Sequence, residues 1–177
     1  MSEAKRSLKV NLDDLTDAFE SGFDGLGYFL DLETGEVVLV TDETRQQLEA
    51  LLEATEAETI EAVNEAIRND DVPDWQKDEL YSAALVEFGF GSRFIRIPQA
   101  DSRAGFEDME AFIETVSHSH LQELLWVAIR GKGAFRRFKD VLLAYPQERE
   151  RWFQFRDKRL HQRVLDWLDE EGISPIL

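Results

Sequence analysis

The sequence predicts an α+β fold, mostly helical, with a small two- or three-stranded antiparallel sheet packed against a C-terminal helical set. Three observations carry this reading. Two β-rich runs, Tyr28–Leu32 and Glu36–Val40, flank a short loop ending in Gly35. A third run, Arg93–Ile97, alternates basic and apolar residues and stops at Pro98. Over most of the remaining chain, apolar residues recur at steps of three and four.

Taken in order, Leu12, Leu15, Ala18 and Phe19 have helical spacing behind Asn11, a good N-cap. Gly22, Gly25 and Gly27 then break the helix. They neither follow a strand nor open a helix, so they form no dinucleotide fingerprint. The loop Glu33, Thr34 and Gly35 predicts a hairpin with a G1-type bulge, Gly35 taking positive φ. Asp31, inside an otherwise apolar strand, is expected to cap that turn or face water rather than act as a catalytic carboxylate.

From Asp42 to about Arg68 the pattern is helical, with Thr55–Glu58 separating two helices and Thr55 or Thr59 as N-cap. Pro73 and then Asp74, as N-cap, introduce a helix from Trp75 to about Glu87. The acids Asp70, Asp71 and Asp74 lack the spacing and central glycine of a calcium loop. After the third strand, Phe106, Met109, Phe112, Ile113 and Val116 predict a helix. Another runs from about Leu121 to Arg130, with Ser117 or Ser119 as cap. Ala134–Tyr145 and roughly Glu148–Glu170 complete the set, the last capped by Gly172. Phe135, Phe138, Trp152, Phe153, Trp167 and Leu168 are the expected core of these last two helices.

The length of 177 residues suits a single domain over 1–177. With no cysteine in the chain, disulfides, thiolate catalysis and cysteine-ligated metal centres are excluded. His118 and His120 are two residues apart, which is not the three- or four-residue spacing of helical metal pairs. No metal and no cofactor are expected. Met1–Lys9 lacks the apolar stretch of a secretory leader, and no run approaches a membrane span, so a cytoplasmic, soluble protein is expected.

The net charge of −17 is unevenly distributed. The acidic N-terminal half, residues 1–80, holds 22 acids and six bases, a net of −16. The basic helical segment, residues 130–163, holds four acids and 11 bases, a net of +7. On one helix, Arg149, Trp152, Arg156, Arg159 and Arg163 follow steps of three and four and form a single stripe. Phe153, Leu160, Val164, Trp167 and Leu168 form the neighbouring core-facing stripe. The preceding helix adds Arg136, Arg137 and Lys139. Lys132 lies between Gly131 and Gly133 at the N-terminus of that helix, where free N–H groups favour an anion. These residues are the candidate anion- or partner-binding site: Lys132, Arg136, Arg137, Arg149, Trp152, Arg156, Arg159 and Arg163. The stripe is either covered by the acidic N-terminal half or open to a phosphate-containing ligand or a protein partner.

Four segments resemble a known bacterial family. They are the hairpin Gly27–Val37 (GYFLDLETGEV), the strand Phe94–Pro98 (FIRIP), the run Gly131–Val141 (GKGAFRRFKDV), and the long helix with Glu148–Phe153 (ERERWF) and Leu165–Leu168 (LDWL). Across about Tyr28 to Gly172 the chain is similar to Uncharacterised Protein Family 0158. The resemblance implies a small bacterial α+β protein and assigns no activity and no functional residue.

No nucleophile elbow and no phosphate-binding loop sequence is present, because Gly131, Lys132 and Gly133 lack the upstream Gly and the following Ser or Thr. A non-enzymatic binding or regulatory module is the leading expectation. One alternative is an enzyme acting on a phosphorylated or nucleic-acid substrate. A second is an acidic nucleic-acid mimic that binds a basic protein.

Overall fold

The structure, a computed structural model, describes residues 4–21 and 25–177. Gly22, one of the glycines expected to end the first helix, lies outside them. The described chain forms eight helices, a three-stranded antiparallel sheet and a two-stranded parallel sheet: an α+β fold, mostly helical. It divides into two compact units. One comprises the chain up to Gln99 together with Leu168–Leu177, and the other Ala100–Trp167.

The first unit opens with β1 (Arg6–Lys9) and α1 (Leu12–Glu20). Asn11 caps α1, its side chain accepting from the N–H groups of Asp13 and Asp14. Strands β2 (Leu26–Asp31) and β3 (Val37–Thr41) form the expected hairpin, with Phe29 opposite Val38 and Leu30 opposite Val37. Gly35 is left-handed at φ 77°. The loop is one residue longer than the spacing suggested: Asp31 donates its N–H to Glu36 at 2.9 Å and accepts from Gly35 at 2.8 Å, leaving Leu32–Gly35 as the turn. Asp31 caps this turn through its side chain, accepting from the N–H of Glu33 at 2.9 Å.

Helices α2 (Asp42–Thr55), α3 (Ile60–Asn69) and α4 (Asp74–Gly89) follow. Thr41 and Thr59 cap the first two by accepting from Thr44 and Ala62. The expected cap Asp74 is instead the first residue of α4; Pro73 occupies the cap position without a side-chain bond, and the carboxylate sits in the positive first turn. Strand β4 (Phe94–Arg96) pairs with the free edge of β2, giving the order β3-β2-β4. Within this unit the sheet packs on α2–α4 through Val40, Leu48, Val63, Ile67, Leu80 and Phe94.

The periodicity missed one sheet. β5 (Ile173–Ile176) pairs in parallel with β1, placing Arg6 opposite Ile173 and Lys9 opposite Ile176. Leu8, Val10 and Ile173 are buried there, and Lys5 pairs with Asp169.

The second unit contains α5 (Ser102–Glu114), α6 (Ser119–Ala128), α7 (Ala134–Leu142) and most of α8 (Pro146–Glu170). Asp101 caps α5. The cap of α6 is neither Ser117 nor Ser119 but His118, whose Nδ1 accepts from the N–H of Leu121 at 3.1 Å. The core joins Met109, Phe112, Ile113, Leu121, Leu125, Phe138, Leu142 and Trp152. Phe138 meets Trp152 edge-on at 4.8 Å between centroids. Phe138, Trp152, Trp167 and Leu168 are buried as expected and Phe153 is half-buried. Phe135 is not core: it is 43% exposed. The buried face of α7 runs Ala134, Phe138 and Leu142, and Phe135 lies one step round the helix from it.

Candidate functional site

The basic residues of α7 and α8 are not equivalent. Their sequence spacing placed them on a shared surface, yet the structure divides them by what their side chains touch.

Arg159 and Arg163 converge on Asp108 of α5, a carboxylate only 3% exposed. Arg163 bonds both oxygens, at 2.7 Å and 2.5 Å, and reaches the carbonyl of Ala104 at 3.2 Å. Arg159 donates through Nε to the same carboxylate and lies over the Phe155 ring. The hydrogen bonds that Arg163 donates to Asp108 raise its pKa above the ordinary value, against the opposing effect of burial. These two stripe residues are bound internally, and their acidic partner lies outside residues 1–80. Arg156 is half-buried on α8.

Arg137 is also spent on structure. Gly131 and Gly133 both take positive φ, at 73° and 78°. This folds the α6–α7 connection around the guanidinium, which donates to the carbonyls of Ala128, Arg130 and Lys132. Carbonyl oxygens of α6 and its connection thereby find a charged donor. Arg151 is similar: it bonds Glu148 at 2.7 Å and Thr115 at 2.6 Å, and covers the Phe112 ring.

Lys132, Arg136, Lys139 and Arg149 are among the cations that lie at the surface. Lys132 and Lys139 are exposed and form no ion pair among the described residues. The Arg136 side chain is 89% exposed and reaches Asp140 only at 4.0 Å. Arg149 is exposed and lies over the Phe153 ring, 5.2 Å from its centroid.

Lys139 and Arg149 line a pocket of about 200 Å³ with Leu142, Leu143, Trp152 and Phe153. Its walls are mainly apolar and its titratable groups are both basic. Trp152, expected on the Arg stripe, is 5% exposed and belongs to the floor rather than the surface. Its indole nitrogen has no hydrogen-bond acceptor among the described residues. Leu143 is 61% exposed at this pocket. Sequence reasoning missed it, although a signal existed. Leu142 and Leu143 are adjacent, so both cannot occupy one buried helical stripe, and Leu142 takes the core.

His118 lies edge-on to Tyr145 at 5.8 Å and 6.4 Å from the His120 ring. Among the described residues, no group of three or more His, Asp or Glu side chains is placed to hold a metal ion. Nor is any helix there long and apolar enough to cross a membrane.

In the first unit, Asp31 is buried and bound by Arg93 at 3.0 Å and 2.7 Å. The hydrogen bond from Arg93 holds the carboxylate below its usual range, against the opposing effect of burial. Asp31 is a structural clamp between the hairpin and the approach to β4.

The profile of the uncharacterised protein family UPF0158 matches residues 71–177; the chain belongs to that family. A relative is the UPF0158 protein PA5073 of Pseudomonas aeruginosa, 25% identical over 171 residues, covering 96% of this chain and 88% of the relative. The hairpin Gly27–Val37 lies outside the segment matched by the family profile. No solved structure matches the chain.

Proposed function

We propose that the protein is a non-enzymatic binding module whose exposed α7–α8 surface engages an acidic protein partner. The observation that carries this reading is the division of the cations. Arg137, Arg151, Arg159 and Arg163 are occupied internally, whereas Lys139 and Arg149 stand beside an apolar pocket with Leu143 exposed. Arg with exposed apolar and aromatic neighbours is the composition of a protein interface. No acid and no histidine lines this pocket, so it lacks the proton-transfer pair that hydrolytic chemistry would require.

The test is a titration with a labelled oligo-glutamate peptide at low and moderate salt, for the wild type and for the double variant Lys139→Glu, Arg149→Glu. Binding should occur at low salt, weaken as salt rises, and be lost in the variant, with the melting temperature nearly unchanged because both side chains are exposed. Equal binding by wild type and variant, or no binding at low salt, overturns the reading.

A further inference from the structure

We infer that the α7–α8 pocket receives one large apolar side chain of the partner, presented by a segment with carboxylates on both flanks; this rests on the acidic-partner reading above. Size comes first. Small-molecule sites commonly span roughly 300–1,000 Å³, whereas this pocket holds about 200 Å³, room for a single leucine- or phenylalanine-sized group. Its wall chemistry agrees, since Leu142, Leu143, Trp152 and Phe153 offer carbon to the occupant.

Charge supplies the second constraint. Lys139 and Arg149 belong to the same lining, so an apolar group entering there brings its neighbouring residues up to two cations. Acidic neighbours complement these charges and basic ones are repelled. The position of Arg149 over Phe153 limits its freedom before binding, which reduces the entropy lost when it pairs. Leu143, mostly exposed, becomes covered by the incoming segment and adds apolar area to the contact.

Burial of Trp152 removes that indole as a base-stacking face. Base stacking requires an aromatic face open to the strand, and this indole is covered on nearly all sides, with Phe138 edge-on and Phe155 stacked at 6.3 Å. The cations of the pocket therefore act beside an aliphatic and aromatic cavity, not beside a stacking platform.

Two labelled peptides test this, identical in their flanking glutamates and differing only in a central Leu or Ser. Fluorescence anisotropy with the full chain should show the Leu peptide binding at least about tenfold more tightly, the effect of burying one large apolar side chain. Leu143→Ser should narrow that preference. Lys139→Glu with Arg149→Glu should weaken both peptides. Equal affinity for the two peptides, with both still weakened by charge reversal, overturns the pocket inference and leaves the acidic-partner reading standing. Affinities unmoved by charge reversal overturn both, as does single-stranded DNA binding more tightly than either peptide at matched salt.

Discussion

Arg163 holds both carboxylate oxygens of the buried Asp108, at 2.7 Å and 2.5 Å, so α8 is tied to α5 by a two-point ionic clamp to which Arg159 adds a third donor. Such a pair contributes little relative to an apolar substitute, but removing one partner alone strands a buried charge.

Asp108→Ala should therefore cost about 3–4 kcal/mol, the lower part of the range for a broken buried pair, because the guanidinium groups retain some contact with water. Arg159→Glu should cost at least as much, since it sets a second carboxylate against Asp108. Denaturant midpoints of the two variants check this. A midpoint unchanged in Asp108→Ala would show the clamp to be energetically idle.

Asp31 sets a pH dependence. Its folded pKa lies below its unfolded value, so its stabilising effect is present above the unfolded pKa of about 3.9 and is lost as pH falls through the folded value. Arg93→Met removes the main cause of that depression. Melting temperatures measured from pH 7 down to pH 3 should be lower for the variant at neutral pH. The gap should begin to narrow as pH falls below about 3.9 and close only once pH passes below the depressed folded pKa of Asp31. A gap that stays constant over the whole range would assign the loss to something other than this pair.

Gly35 is fixed by its neighbour as well as by its φ. A Cβ there would lie 1.8 Å from the carbonyl oxygen of Lys9, so any side chain displaces the backbone joining β1 to α1. Gly35→Ala should cost about 2–5 kcal/mol, from left-handed strain together with overpacking. Gly131→Ala, also at positive φ but with open space around its Cβ, should cost only the strain, about 1–2 kcal/mol. Equal losses in the two variants would remove the role given to the Lys9 carbonyl.

Phe138 is 1% exposed and touches Phe112 and Trp152 edge-on. Phe138→Ala should cost about 3–5 kcal/mol. Phe135→Ala, on the exposed side of the same helix, should cost far less. Thermal or urea unfolding of the two variants tests the facing of α7, and a reversal of this order would refute it.

His118→Ala should cost about 1 kcal/mol by removing the acceptor at the start of α6, and His118→Asn should recover most of it, because asparagine also caps well. If Asn fails to rescue, the contact of His118 with Tyr145 matters more than the cap.

The local elements were legible along the chain. The positions of β2, β3 and β4, the caps Asn11 and Thr59, the positive φ of Gly35 and the buried stripe Leu160, Val164, Trp167 and Leu168 all follow from short-range rules of periodicity, turn chemistry and capping. Which distant groups meet depends on the complete fold. The parallel pairing of β1 with β5 joins Arg6 to Ile173, and no local pattern in either four-residue strand encodes a partner at the other end of the chain. The Arg stripe was legible as a stripe, because helical geometry fixes spacing. Its division into arginines bound to Asp108 and cations left at the surface was not, because the fate of a guanidinium depends on what the fold brings within hydrogen-bonding reach.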